Sequence, residues 1–371
     1  MIKLSKSCID SKEKEAVLRV LNDEYLGMGD RVKKFEEKLS LYLSNNVSCV
    51  SSGTAALQLA LEACGIKRND EILVQSLTYV ASFQAISATG AIPVACDIDD
   101  KSLTICLKDA KKKLSNKTKA IMPVHYSGGV GNLSSIYKFA KKNNLRVIED
   151  AAHAFGTEYN SKKVGSFGDI ICFSFDGIKN ITSGEGGCVV SSNQEVINYV
   201  NDSRLLGIEK DSEKRYLSER SWSFNVKNQG WRYHMSNLNA AIGLEQLKKV
   251  NKFFKIRKSL AKRYDANFLK SKYISSISRN YDEVVPHIYP LRIMKKFNRE
   301  ELRSYLLKKN IQTGLHYQPN HFLDKFFKKK LTLPVTERIF NQIITLPLHP
   351  DLNLKDIDYI SKTLKDVLKE I

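Results

Sequence analysis

The chain has 371 residues, 42% of them hydrophobic and 27% charged, which is enough for a large core plus a second, smaller domain. No apolar run approaches the roughly 20 residues of a membrane-spanning helix, and the seven cysteines show neither CxxC pairs nor metal-ligand spacing, so no metal and no membrane association are expected. Lys and Arg exceed Asp and Glu by 59 to 40, a formal charge of +19, yet the basic runs are interleaved with acids or apolar residues and carry no nucleic-acid-binding signature, so nucleic acid is not expected as a partner.

The first residues, "MIKLSKSCIDSKEKEAV", are charged and lack the apolar stretch of a secretory signal. With the scattered thiols, this predicts a cytoplasmic protein. From Ser48 to Val190 short apolar runs alternate with helical patterns. "SCVSS" precedes "GTAALQLALEACGI", a helix with a broad apolar face. "DEILVQS", "AIPVACDID", "KAIMPVHY", "LRVIEDAAHA" and "DIICFSF" follow, each a continuous apolar run bounded by polar residues or Gly. Such runs read as strands buried on both faces, and helices such as "SSIYKFAKKNN" between them make the class α/β with a mainly parallel sheet. After Gly230 the character changes: "SNLNAAIGLEQLKKVNKFFKIRKSLAKRYDANFL" is one long helical pattern, "HIYPLRI" a strand, and "NREELRSYLLKKN" and "LKDIDYISKTLKDVLKEI" amphipathic helices. The expected division is a large domain over residues 1–240 and, over 241–371, a connecting helix and a small α+β domain. The N-terminal segment is a candidate to pack on the latter.

Polar residues follow directly on the strands, at the sheet edge where ligands bind in open α/β folds. "SSGTAAL" puts Gly53 and Thr54 where a strand turns into a helix, whose free N–H groups suit an anion as well as an N-cap. Tyr79 in "SLTYVASF" either stacks on a planar ring or fills the core. "LRVIEDAAHAFG" ends a buried strand in Glu149 and Asp150, with His153 just beyond; Asp150 pairs with a cation or caps a helix. "ICFSFDGIKNITSGEGGCVV" places Ser174 at a strand end and Lys179 in a turn framed by Gly184, Gly186 and Gly187. A lysine near a helix terminus at a partly desolvated sheet edge has a lowered pKa, as an imine-forming amine requires. A phosphate cradle, an aromatic plate, a buried acid and a framed lysine are the parts that bind pyridoxal phosphate.

These segments, with "YLGMGDRVKKFEEKL", "YHMSNLNAAIGLEQL", "HYQP" and "TLPLHP", occur in an order and spacing that resemble the DegT/DnrJ/EryC1/StrS family of sugar aminotransferases, through nearly the whole chain. The resemblance implies a fold-type-I pyridoxal phosphate enzyme, an obligate homodimer with shared active sites. It makes Lys179 the Schiff-base lysine and proton shuttle, and Asp150 the partner of the ring nitrogen. Tyr79 would stack on the ring, Gly53, Thr54 and Ser174 would hold the phosphate, and His153 would lie near the ring's 3-hydroxyl, where many relatives have Gln. In "GWRYHMSNLNAA", Arg232 stands at the position of an Asn that reaches the neighbouring subunit's cofactor phosphate, and His234 at that of an Arg. Arg232 either holds that phosphate or turns to the nucleotide diphosphate. His316, Tyr317 and His321, in "GLHYQPNH", are candidate sugar-nucleotide contacts; His125 and His349 are expected to satisfy local backbone groups.

The implied reaction is transfer of an amino group from glutamate to a nucleotide-linked 4-keto-6-deoxyhexose, through the pyridoxal and pyridoxamine forms of the cofactor. The chain is most like the enzymes that make dTDP-4-amino-4,6-dideoxyglucose (dTDP-viosamine) for O-antigen or another surface polysaccharide. Amination of a dTDP-3-keto-6-deoxyhexose at C-3 is the alternative. Lys179 argues against the family's dehydratases, in which His replaces it. A basic, non-enzymatic regulator on the same scaffold would have lost Lys179 or Asp150.

Overall fold

The apolar runs between Ser48 and Val190 become strands whose residues are mostly buried, and the polar stretches between them cap helices or form turns. The computed structural model describes residues 1–370. The chain opens with α1 (Ser11–Asn22) and α2 (Asp30–Leu43), then runs through β1 (Asn46–Val50), α3 (Gly53–Ala63), β2 (Glu71–Gln75), α4 (Val80–Ala88) and β3 (Ile92–Cys96). Next come α5 (Leu107–Lys112), β4 (Thr118–Met122), α6 (Leu133–Lys142), β5 (Arg146–Asp150) and a small hairpin, β6 (Glu158–Tyr159) with β7 (Lys162–Lys163). The strands β8 (Ile170–Ser174) and β9 (Gly187–Ser191) precede α7 (Gln194–Ser203), α8 (Asp211–Tyr216) and α9 (Asn237–Lys248). The rest comprises α10 (Val250–Phe268), β10 (Ile274–Ser276), β11 (Tyr289–Ile293), α11 (Arg299–Lys308), α12 (Pro334–Gln342), β12 (Ile343–Leu346) and α13 (Leu354–Glu370).

Seven strands form one sheet in the order β1–β9–β8–β5–β4–β2–β3. Only β9 runs against its neighbours; the other pairs are parallel. The fold is therefore α/β with a mainly parallel, mixed sheet. A second, antiparallel sheet, β10–β11–β12, shares a core with α10, α11 and α13.

Helix α3 is the keystone of the large sheet. Ser52 caps it, its side chain accepting from the Ala55 N–H at 3.0 Å. Every residue from Ala55 to Leu61 is buried, between α4 and α7 and against β8 and β9. Each fully buried Leu contributes about 1.5–3 kcal/mol, so the N-terminus of α3 is held rigidly at the sheet edge.

The long helical pattern after Ser236 is in fact two helices that part at Lys249 (φ −97°, ψ 0°). Periodicity did not reveal the break because its cause is tertiary. Helix α9 packs on α1 and α2, whereas α10 crosses to α13, and the Lys249 ammonium is held at the joint by Asp10 (3.0 Å) and Glu13. The first residues lie against the second sheet's surroundings: the Ile2 N–H donates to the Asn310 carbonyl at 2.7 Å, and the Leu4 carbonyl accepts from Leu348 at 3.2 Å.

Candidate active site

Strands β5 and β8 are parallel neighbours, with Asp150 opposite Cys172, so Asp150 and Ser174 finish at one edge and Lys179 follows five residues on. A cavity of about 420 Å³ opens there, lined by Gly53, Thr54, Tyr79, Asp150, His153 and Ser174. Lys179, His316 and Tyr317 line it too. Residues from five separate stretches thus converge, and all of these were candidates from sequence.

The approach of α3 to β8 explains Gly53: a Cβ there would lie 2.8 Å from the Ser174 Cβ. The first-turn N–H groups of a helix have no partner inside it, and at Gly53 and Thr54 they adjoin the cavity. Gly187 serves the same approach rather than wrapping around Lys179, since its Cβ would meet the Ser52 carbonyl oxygen at 2.6 Å and the Gly53 nitrogen at 2.7 Å. From that glycine-rich turn the cavity takes Glu185 instead.

Lys179 closes a turn, its N–H donating to the Asp176 carbonyl at 3.0 Å. Burial pushes its amine below the usual lysine range, against the opposing pull of Asp150 and Asp176. The direction is the one expected, and desolvation is its largest cause. Asp150 caps no α-helix, because the residues after it form turns. One carboxylate oxygen accepts from the Ala152 N–H at 3.2 Å, the other from the Ser82 hydroxyl at 2.7 Å. Strand alternation sends Glu149 to the opposite face, where it meets His125 Nε2 at 2.7 Å and the Tyr137 hydroxyl at 2.5 Å. His125 therefore pairs with a buried acid rather than with backbone, whereas His349 does reach a backbone group, the Lys3 carbonyl, at 3.2 Å.

Tyr79 is 60% exposed, which excludes the core-filling role. Its ring centroid lies 5.5 Å from that of Tyr317. His153 is buried, its Nε2 2.9 Å from the Tyr317 hydroxyl and its ring 4.5 Å from that of His287. Burial, then Lys179 and His316, push His153 well below the usual imidazole range. His316 is pushed down to about 4 by burial and then by Lys179, and His234 to about 4 by burial and then by Arg232. These imidazoles are neutral in the folded chain. On acidification from about pH 6.5 to 4 the unfolded chain binds protons that the folded one refuses, so stability falls as pH falls through that window. The melting temperature of the apo protein should drop across it, and less steeply in His316→Gln; a flat profile in both proteins would contradict this.

Two candidates lie elsewhere. His321 is buried away from the cavity: Nδ1 meets the Ser76 hydroxyl at 2.8 Å and Nε2 meets Glu337 at 3.4 Å. Asn320 beside it donates to the Ser76 and Thr78 carbonyls at 3.1 and 2.8 Å. Together they pin the segment bearing His316 and Tyr317 onto the turn bearing Tyr79, so in this structure His321 supports the cavity without lining it. Arg232 is exposed and does not line the chain's own cavity. Its neighbours are fixed, Trp231 by Glu62 (3.2 Å) and Tyr233 by Gln58 (3.2 Å), which leaves Arg232 pointing outward between them. Missed from sequence were Asp176, Glu185 and the Thr78–Ser82 pair. The last two flank Tyr79 at −1 and +3, spacing that a helix start at Val80 brings to one side.

Pyridoxal phosphate fits these residues. Lys179 has no salt bridge among the described residues, Asp150 faces the same cavity, and only a glycine leaves room at the helix N-terminus beside Ser174. No metal-ligating cluster occurs among the described residues, and none of their helices is long and apolar enough to cross a membrane.

The model of the DegT/DnrJ/EryC1/StrS aminotransferase family matches residues 7–365. The chain is 35% identical to GDP-perosamine synthase of Escherichia coli O157:H7 over 364 residues, covering 96% of each protein. It is also 35% identical to the UDP-4-amino-4,6-dideoxy-N-acetyl-beta-L-altrosamine transaminase of Campylobacter jejuni, over 100% of this chain and 98% of that one. The solved structure of Helicobacter pylori PseC, an aminotransferase involved in the biosynthesis of pseudoaminic acid, superposes with a TM-score of 0.92 at 29% identity and full coverage of both chains.

Proposed function

This chain belongs to the DegT/DnrJ/EryC1/StrS aminotransferase family, and on that premise we propose that it moves the amino group of glutamate onto C-4 of a nucleotide-linked 4-keto-6-deoxyhexose. It is a pyridoxal phosphate-dependent sugar aminotransferase. The observation that carries the proposal is Lys179, an amine lowered by burial, in one cavity with Asp150. The C-4 position is supported by the relative named for a 4-amino-4,6-dideoxy sugar. The dTDP carrier, with a surface polysaccharide as the product's destination, rests on the resemblance of the motifs, and the cytoplasm as its place rests on the scattered thiols and the charged first residues.

When bound, the cofactor supplies the carbonyl that accepts the donor's amine and the ring that takes up carbanion electrons. Gly53, Thr54 and Ser174 would hold its phosphate, Asp150 its ring nitrogen and Tyr79 a ring face; His153 and Tyr317 would lie toward its 3-hydroxyl. Lys179 would hold the cofactor until the donor takes its place, and would then move a proton at the reacting carbon. Its lowered basicity keeps a usable fraction neutral for that work.

The proposal includes a second copy of the chain, and the charge of the site supports it. Asp150, Asp176 and Glu185 line the cavity against a single lysine, Lys179, while a nucleoside diphosphate and glutamate both bring negative charge. Cations stand instead on the arm between α8 and α9, where Arg220, Lys227 and Arg232 are exposed beside Leu217, Phe224 and Trp222, the last 88% exposed. An apolar, basic arm of this kind suits an interface, which supports a homodimer in which Arg232 would reach the partner's cavity, on phosphate or diphosphate.

Incubation with glutamate and dTDP-4-keto-6-deoxyglucose should yield 2-oxoglutarate and a sugar nucleotide with an amine in place of the ketone, at C-4 by NMR. Turnover of the 3-keto isomer alone would move the reaction to C-3, and turnover of only the UDP- or GDP-linked sugar would reject the dTDP carrier.

A further inference from the structure

Asp150 is gripped by a hydroxyl group that the motif pattern does not announce. Ser82 is fully buried, at 0% exposure, and its Oγ lies 2.7 Å from Asp150 Oδ2 and 3.1 Å from Thr78 Oγ1. A serine hydroxyl has one proton to donate, and a carboxylate only accepts. The Ser82 proton is therefore committed to Asp150, and Thr78 must be the donor to Ser82. The chain of hydrogen bonds runs one way, Thr78 to Ser82 to Asp150, and each bond polarises the next.

Both hydroxyls stand on fixed backbone. Thr78 donates its N–H to the Ser76 carbonyl at 3.0 Å and accepts from Asn320 Nδ2 at 2.8 Å. Ser82 lies in the first turn of α4, with its N–H directed back to the Tyr79 carbonyl at 3.4 Å. The same turn that presents Tyr79 to the cavity thus places a donor beneath it. Asp150 receives its other bond from the Ala152 N–H, so its two oxygens are held from opposite sides.

We propose that Ser82, backed by Thr78, is a positioning residue that aims the Asp150 carboxylate at the ring nitrogen of the cofactor. The inference rests on the cofactor site described above. A residue acting this way matters only to a cofactor that has a ring nitrogen, and this separates it from mere support of α4.

The test titrates apo protein with pyridoxal phosphate and, separately, with its carbocyclic analogue, in which carbon replaces the ring nitrogen. The proteins are wild type, Ser82→Ala, Ser82→Cys and Ser82→Thr. Loss of a hydrogen bond to a charged group should weaken pyridoxal phosphate binding roughly ten-fold or more in the Ala and Cys variants, with Thr retaining near wild-type affinity. The analogue should bind all four within about two-fold, because the contact in question is missing from it. Cys keeps the size and burial of Ser with a much weaker donor, so the comparison stands even if the Ala variant does not fold. Equal weakening toward both ligands, or unchanged pyridoxal phosphate affinity in the Cys variant, would overturn the proposal. Failure of wild type to bind either ligand would overturn the cofactor site itself.

Discussion

Replacing Lys179 with Ala or with Arg should lower amino-group transfer at least about 10³-fold while leaving the fold intact. Alanine removes the amine outright. Arginine keeps a cation but cannot release its proton, so it can neither join the cofactor covalently nor shuttle hydrogen. In the Ala variant stability should not suffer, because burial is what lowers the Lys179 amine: the folded chain disfavours its charge, and removing a disfavoured charge relieves that cost, whereas Arg keeps the charge and should melt no higher than wild type. Rates of 2-oxoglutarate formation and the melting temperature of the apo protein measure the two halves. Retention of more than about a tenth of the rate in either variant would remove Lys179 from the chemistry.

The largest effect on stability is expected far from the cavity, at Arg204. This guanidinium is completely buried. Nη1 donates to Glu36 Oε1 at 2.5 Å and to the Cys49 carbonyl at 2.6 Å, and Nη2 donates to the Tyr216 hydroxyl at 2.7 Å. Tyr216 in turn donates to Glu36 Oε2 at 2.5 Å, and Glu36 Oε1 also accepts from the Cys49 N–H at 2.6 Å. The network ties α2, β1 and α8 to the base of the exposed arm. Arg204→Ala strands a buried carboxylate and should cost about 3–5 kcal/mol. Unfolding in urea measures it, and the Glu36→Ala/Arg204→Ala double variant should lose less than the two single losses added together. A single-variant loss under about 1 kcal/mol would mean that water reaches Glu36 in its place.

How much of this was legible in the sequence depended on the range of the interaction. The strands declared themselves as continuous apolar runs, and the parallel order then forced Asp150, Ser174 and Lys179 to one edge. The glycine at 53 and the acid at 150 were readable because a helix start and a strand end each carry a local mark. What local marks could not convey was the direction in which tertiary contacts pull a side chain. His321 sits in the same short stretch as His316 and Tyr317, but Ser76 and Glu337, distant in sequence, draw it into the interior. Glu149 and Asp150 are adjacent, and only the orientation of the sheet decides which of them faces the cavity. The break at Lys249 follows from two helices packing on different partners, while the residues on either side keep one helical period. The Glu36–Arg204 contact joins residues 168 positions apart, and nothing near either residue advertises the other.

The central claim is that Lys179 holds the cofactor and yields it to an amino donor. The most direct measurement is reduction of the holoenzyme with borohydride followed by peptide mass mapping, with and without prior exposure to glutamate. Without glutamate, the cofactor's mass should be fixed on the peptide that contains Lys179, and after glutamate that label should be absent. A label on another lysine, or one on Lys179 that glutamate never removes, would contradict the account.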